Sequence, residues 1–319
     1  MPRVPETPDL APAVQTVIGR CLAVQPGEEV VVVADASTAD IGAALRDEAQ
    51  RAGADATLAL TTARDTDGAE PPAAVAAALA AADVFVAPTA WSISHTRARK
   101  AANEHGARGA TMPHVTADML ARLMAVDVDA MVARSRAVAE LLTAADEARL
   151  TCPRGTDLRL DLRGREGIAD DGDLTAPGAF GNLPCGEGFI APLGGGGTIV
   201  ASSLAAIGLA DPPARLTVED GRLTMAEGPE GAQLLARLRA AGEQGTNLAE
   251  LGVGTNEHAT LTGNVLEDEK LLGTAHVAFG ASAGIGGTVS VPVHLDVVVL
   301  DATLAIGDTP VLESGRFVL

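Results

Sequence analysis

The residues with the clearest chemical potential lie between positions 247 and 296. His294 and Asp296 form a His-x-Asp pair inside an apolar run whose alternating valines are typical of a strand. Side chains two residues apart on a strand share a face, so both could reach one metal ion at about 2 Å. The spacing therefore predicts a metal-binding pair on one side of a sheet.

Three further candidate ligands lie near glycine-rich turns. His276 sits in a short apolar stretch, Glu250 in Ala-Glu-Leu-Gly, and Glu187 in Asn-Leu-Pro-Cys-Gly-Glu. Any one of them alone is more often an ordinary side chain than a ligand. Together with the His-x-Asp pair they offer two imidazoles and three carboxylates, which are costly to bury unless they are paired or metal-bound. The set suits one or two hard or borderline divalent ions.

The composition limits the partners and the core. The chain has 319 residues and a formal charge of −19, which argues against nucleic acid or an anionic membrane surface as a partner. Hydrophobic residues make up 47% but aromatic residues only 2%, with no tyrosine, so the cores must be aliphatic. No apolar run is long enough to predict a membrane-spanning helix. Three scattered cysteines without a zinc-type spacing favour a reducing cytoplasm.

The periodicity of the sequence changes near residue 149. Before it, β-branched strands alternate with helices, which predicts a parallel sheet with right-handed crossovers. After it, two-residue alternation predicts short antiparallel strands with one helix among them. We therefore expect an α/β fold with two domains. These are a parallel-sheet α/β domain over residues 1–148 and a β-rich, mixed α+β metal-binding domain over residues 149–319.

Other motifs give weaker signals. The glycines at 194–197 are not followed by the Lys-Ser/Thr of a phosphate-binding loop, so a hairpin or a close backbone approach is favoured. Cys185 is interpreted as a buried thiol rather than a nucleophile. His95 follows the third predicted strand, at the end where α/β sheets hold ligands. The acidic run 267–269 is interpreted as a solvated helix start, with the alternative that one of its members supports a metal ligand.

The second half of the sequence resembles the thermophilic-type metallo-aminopeptidases, a family that includes aminopeptidase T, aminopeptidase S and peptidase S. The resemblance is carried by NLPCGE (182–187), ELGVGTN (250–256), EDEKLLGTAH (267–276) and HLD (294–296). It implies a cytoplasmic homodimer that removes N-terminal residues from peptides by means of a metal-activated water. It also implies two zinc, cobalt or manganese ions per chain, held by Glu187, Glu250, His276, His294 and Asp296. Of these, we expect Glu187 to accept the proton of the water.

One departure keeps a second function open. The aminopeptidases have a tyrosine shortly after the position of His276, whereas this chain has none. The same fold also resembles 2,5-dihydroxypyridine dioxygenase, which holds a single Fe(II) by two histidines and one aspartate. That branch has a histidine at the position of Glu250 and none at that of His276, so the five-ligand pattern favours the hydrolase.

Two alternatives to the hydrolase nevertheless remain. His276, His294 and Asp296 could form the facial triad of a mononuclear iron oxygenase that acts on a small hydroxylated ring. A non-catalytic binding protein that kept the fold is a third interpretation, and the missing tyrosine is its only support.

Overall fold

The computed structural model describes residues 8–319. The chain divides into two compact units. The first holds the residues up to Val128 together with Gly172–Cys185, and the second holds Asp129–Asp171 and Gly186–Leu319. The predicted boundary between residues 148 and 149 concerns independently folding domains and stays a prediction.

The described residues form strands and helices that are numbered in chain order. The strands are β1 (Glu29–Ala34), β2 (Asp55–Leu60), β3 (Val84–Thr89), β4 (Arg108–Pro113), β5 (Glu147–Thr151), β6 (Asp157–Asp161), β7 (Gly167–Asp170), β8 (Phe180–Asn182), β9 (Glu187–Ile190), β10 (Gly194–Leu204), β11 (Gly208–Glu219), β12 (Arg222–Glu227), β13 (Leu248–Gly254), β14 (Ala275–Gly280), β15 (His294–Val299), β16 (Thr303–Ile306), β17 (Thr309–Glu313) and β18 (Arg316–Phe317). The α-helices are α1 (Ala11–Gln15), α2 (Ala39–Arg51), α3 (Ala73–Ala81), α4 (Arg97–Glu104), α5 (Ala117–Leu123), α6 (Val128–Ala144), α7 (Pro229–Ala240) and α8 (Val265–Asp268).

The first unit is built on a parallel sheet, which confirms the prediction from the β-α-β pattern. Its strands lie in the order β2-β1-β3-β4-β8, and each neighbouring pair is parallel. The last five residues of β1 are all buried, as expected for a strand covered on both faces. The three-residue β8 carries no periodicity of its own, and sequence patterns therefore did not predict it.

A glycine in one strand of this sheet leaves space for an aromatic ring on the neighbouring strand. A Cβ atom added at Gly109 of β4 would lie 2.5 Å from the ring of Phe85 in β3. Phe85 is fully buried and belongs to the core cluster of this unit. The close packing of the ring therefore depends on the missing side chain at position 109.

We expect Gly109→Ala to destabilise the first unit by about 1–3 kcal/mol, because a buried ring must shift to accommodate the methyl group. Gly19→Ala is the matched control, since a Cβ atom there meets nothing within 4 Å. Urea unfolding followed by circular dichroism measures both changes. Equal stability of the two variants would contradict this packing argument.

The second unit is a large antiparallel sheet, as the two-residue alternation predicts. Its strands follow the order β18-β17-β16-β5-β6-β10-β15-β14-β13-β9-β7, with β11 paired to β10 and β12 paired to β11. Its core is aliphatic apart from Phe279, which agrees with the low aromatic content. Leu234 and Leu238 of α7 join the same core cluster as Leu216 of β11.

Two segments differ from the predicted strands because local hydrogen bonds replace the ladder. Residues 289–293 were expected to extend the strand of His294, but they pair instead with the loop after β14: Ala281 N donates to Val293 O (2.7 Å) and Ser282 N to Val289 O (2.9 Å). Residues 259–261, which the sequence also predicts as a strand, form neither strand nor helix. There Thr260 N donates to Glu267 Oε1 (2.8 Å). Among residues 8–319, no helix combines the length and apolarity needed to cross a membrane.

Candidate metal centre

Four neighbouring strands bring the five sequence candidates together. Antiparallel pairing runs from β9 through β13 and β14 to β15. Each strand supplies one candidate or more: Glu187 from β9, Glu250 from β13, His276 from β14, and His294 with Asp296 from β15. The cluster therefore rests on the hydrogen-bonded frame of the sheet rather than on flexible loops.

The five side chains form two groups that share Glu250. The first group is Glu187, Glu250 and His276, and the second is Glu250, His294 and Asp296. Within each group, ligand atoms lie within 4.8 Å of one another, as the donors of one ion must. The facial triad of His276, His294 and Asp296 is not one of these groups, because each group contains a single histidine.

Glu250 gives one carboxylate oxygen to each group. Its Oε1 lies 3.3 Å from Nε2 of His276, and its Oε2 lies 3.2 Å from Nε2 of His294. The remaining distances are 3.0 Å from His276 Nε2 to Glu187 Oε2 and 3.6 Å from His294 Nε2 to Asp296 Oδ1. These separations match those between neighbouring donors that each lie about 2 Å from one metal ion.

The two groups differ in their access to solvent. Glu187, Glu250 and His276 are buried, with His276 fully enclosed. The side chain of His294 keeps a quarter of its surface exposed. An ion held by the second group would therefore be the one that a dissolved molecule can approach.

His294 is oriented as a metal ligand would be. Its Nδ1 lies 2.7 Å from the carbonyl oxygen of Ala281. A carbonyl only accepts, so Nδ1 carries the hydrogen and, in the neutral ring, Nε2 presents its lone pair towards Glu250 and Asp296. Metal-bound histidines commonly have such a second partner, which fixes the ring and its tautomer.

An unpartnered oxygen indicates that the buried group fits a cation. Oε2 of Glu187 is enclosed and, among the described residues, accepts no hydrogen bond, although it lies 3.0 Å from His276 Nε2. A buried carboxylate oxygen that accepts no hydrogen bond is costly. A divalent ion between Glu187, Glu250 and His276 would satisfy it, and carboxylate and imidazole donors suit such an ion.

Gly252 makes room for His276. The two residues face each other across β13 and β14, and a Cβ atom at Gly252 would lie 2.0 Å from His276 Nε2. The imidazole therefore occupies the volume that a side chain on β13 would take. The sequence around Gly252 indicates only a turn, so its role in leaving space for His276 was not predicted.

The carboxylates hold both imidazoles in their charged form. Burial alone would lower the pKa of His276 and His294, but the adjacent carboxylates raise it well above its ordinary value. Burial would raise the pKa of Glu187, yet Lys270 and His276 lower it to about 2. The pKa of Glu250 is also lowered, because hydrogen bonds from His276 and His294 outweigh its burial.

We expect metal affinity to rise steeply with pH. The raised pKa values keep protons on His276 and His294 at neutral pH, and an ion must displace them because only the neutral imidazole is a ligand. The association constant should increase about tenfold per pH unit for each proton released. Isothermal titration with Mn²⁺ between pH 6 and 8, in buffers of different ionisation enthalpy, measures this release, and a pH-independent affinity would contradict it.

Glu250 should be the residue whose loss harms metal binding most. Glu250→Ala removes an oxygen from both groups, so it should abolish binding, whereas Glu187→Ala removes an oxygen from one group only. Elemental analysis of the purified variants measures the ions per chain. Glu219→Ala, at an exposed position of β11, is the control, and full metal content in Glu250→Ala would refute the shared role.

Most of the other sequence candidates are placed outside the cluster. Neither metal group contains Cys185 or any of the other four histidines among residues 8–319. His105 Nδ1 lies 2.6 Å from Ala101 O at the end of α4. The ring of His114 lies edge-on to Trp91, with its Nε2 3.3 Å from Asp67. The glycines 194–197 lie in β10, where a Cβ atom at Gly197 would meet Asp157 O at 2.0 Å, so the predicted close backbone approach is confirmed.

The interpretation of residues 267–269 as a solvated helix start was wrong. Glu267, Asp268 and Glu269 are all buried. The first two accept hydrogen bonds from the turn before α8, including Thr262 N to Asp268 Oδ1 (2.7 Å). The next residue, Lys270, is also buried and donates to Glu187. Its position directly after three acids, as one of only two lysines in the chain, was the sequence signal for it.

Comparison with known proteins identifies the family. The family model of NicX, 2,5-dihydroxypyridine 5,6-dioxygenase, matches residues 9–319. The chain belongs to the NicX family. No curated protein sequence matches it significantly. NicX-family membership places the chain among enzymes.

Two solved structures share the fold. The structure of 2,5-dihydroxypyridine dioxygenase from Pseudomonas putida KT2440 has a TM-score of 0.81 and 20% sequence identity, with 97% of this chain and 96% of that chain covered. Wild-type AmpT from Thermus thermophilus has a TM-score of 0.70 and 21% identity, with 97% and 99% covered. At these identities, the likeness shows the two-part α/β fold that the sequence predicts.

The lead functional interpretation from the sequence, a two-metal aminopeptidase, is therefore wrong. The model that matches nearly the whole chain is that of a dioxygenase, so the hydrolase, metalloprotease, zinc and cobalt assignments fall with it. The physical reason is that imidazole and carboxylate donors bind a metal ion whichever reaction follows. The predicted donors do come together as two candidate metal-binding groups, but the donor pattern carried no information on the reaction.

Proposed function

We propose that this protein is a metal-dependent dioxygenase that opens a hydroxylated aromatic ring, with 2,5-dihydroxypyridine as the first substrate to test. The observation that carries the proposal is the match of the NicX family model to residues 9–319. The two donor groups support it, because they provide a place for the metal that such chemistry requires.

Fe(II) is the proposed metal. Imidazole and carboxylate are both established ligands of Fe(II) in oxygenases, and the orphaned oxygen of Glu187 indicates that the cluster accommodates a cation. Glu250, His294 and Asp296 would hold the ion on the solvent-accessible side, with Glu187 and His276 completing the buried group. When bound, Fe(II) would supply the activation of O₂. Loading of both groups, with two ions per chain, stays a prediction.

Glu187 does not suit the role of a general base that we expected for it. A base works best when its pKa lies near the working pH, whereas the pKa of Glu187 is lowered to about 2 by Lys270 and His276 despite burial. We propose instead that Glu187 supplies permanent negative charge beside the metal. A small-molecule substrate, a homodimer and a cytoplasmic location also stay predictions.

Fe(II)-loaded protein should consume O₂ and 2,5-dihydroxypyridine in equal amounts, because a dioxygenase places both oxygen atoms in one ring-opened product. An oxygen electrode and the loss of ring absorbance measure the two. His294→Ala should lower the rate by at least about 100-fold, since it removes a ligand whose supporting interactions alone are worth 10–100-fold.

Two controls make this result specific. Glu219→Ala should keep the full rate, and 2-hydroxypyridine, which lacks the second hydroxyl, should support little oxygen uptake. If Fe(II)-loaded protein consumed no oxygen with any dihydroxylated ring, the proposed function would be wrong.

A further inference from the structure

A buried lysine lies directly behind the metal centre. Lys270 has 1% of its surface exposed. Its Nζ donates to Glu187 Oε1 (2.7 Å) and to Glu269 Oε1 (2.5 Å), and it lies 3.5 Å from Asp170 Oδ2. One ammonium group is therefore surrounded by three carboxylates, an arrangement of oxygens that would also suit a hard metal ion.

The backbone fixes all parts of this arrangement. Asp170 and Glu187 are paired across β7 and β9, and Gly186 N donates to Asp170 O (3.0 Å). Lys270 N donates to Glu267 O (2.9 Å), and Lys270 O accepts from Asn256 N (2.9 Å). The Lys270 side chain therefore starts from a backbone position that is held on both sides, and the contacts of Nζ itself hold the ammonium among the carboxylates.

The two oxygens of Glu187 have different neighbours. Oε1 accepts from Lys270, while Oε2 faces His276 in the buried metal group. A carboxylate free of the lysine could turn and give both oxygens to one metal ion. The contact with Lys270 therefore restricts Glu187 to a single oxygen on the metal side.

We propose that Lys270 is the resident cation of a third cation position, formed by Asp170, Glu187 and Glu269, and that it positions Glu187 as a one-oxygen ligand while keeping a further divalent ion out. Lys270 acts through Glu187 and touches no reacting atom, so it is a positioning residue. The inference rests on the proposed metal centre and adds that Lys270 limits the number of ions the centre binds.

The test counts ions in a variant that removes the resident cation. Lys270→Ala leaves three carboxylates and the space of a long side chain, so at saturating Mn²⁺ it should bind one more ion per chain than the wild type. Equilibrium dialysis with elemental analysis measures the number. Lys100→Ala, at the exposed second lysine of the chain, should bind the wild-type number, and Lys270→Arg, which keeps the charge, should do the same.

The outcomes separate this inference from the proposed function. The wild-type ion count and its oxygen uptake test the metal centre, whereas the difference between Lys270→Ala and the wild type tests the role of Lys270. No gain of an ion in folded Lys270→Ala would overturn the inference. Loss of the gained ion in the double variant Lys270→Ala/Glu269→Gln would confirm where it binds.

A measurement on the native lysine covers the case in which Lys270→Ala fails to fold. Zn²⁺-loaded, ¹⁵N-labelled Lys100→Ala contains Lys270 as its only lysine. A buried ammonium that donates to carboxylates should give a slowly exchanging Nζ signal in a proton–nitrogen correlation spectrum at neutral pH. Absence of that signal in folded protein would show that no fixed ammonium occupies the position and would overturn the inference.

Discussion

The structure of the second unit depends on balancing negative charge that is buried in a sheet. Glu187, Glu250, Glu269 and Asp296 are all enclosed, and uncompensated charges at such depth are among the costliest features a fold can contain. Burial raises the pKa of the neighbouring Asp170 to about 7 and that of Glu269 to about 8, with Lys270 opposing the shift, so burial disfavours the charged form of both carboxyl groups. The positive groups around them therefore offset a cost of burial that the fold would otherwise carry.

The antiparallel sheet is well suited to hold this charge in place. Neighbouring strands set the spacing of the ligands, and residues two apart on β15 point to the same side, so His294 and Asp296 converge without any loop. Glycine supplies the space between strands, as at Gly252 opposite His276 and at Gly254, where a Cβ atom would lie 2.2 Å from Leu271 O. Ligands on regular elements are placed more precisely than ligands on loops.

How much could be predicted from the sequence follows from the range over which each signal acts. The parallel and antiparallel halves were predictable because strand and helix periods are local, and His294-x-Asp296 was readable because two residues on one strand define their own geometry. Lys270 and Asp170 were not, since nothing local shows that a residue in a turn after α8 meets one at the end of β7. The reaction could not be predicted for a different reason. The donor residues determine metal binding, whereas the reaction depends on which substrate reaches the metal ion.

Glu250 stands in both donor groups, with one oxygen committed to each. A cation on one oxygen withdraws electron density from the other, so the two positions cannot fill independently. Filling one must change the affinity of the other by a factor that is the same in both directions, whether the second occupant is a metal ion or the proton of an imidazole. Glu250 thereby couples the two positions, so that the cation affinity of the solvent-facing position depends on whether the enclosed position holds a metal ion or a proton.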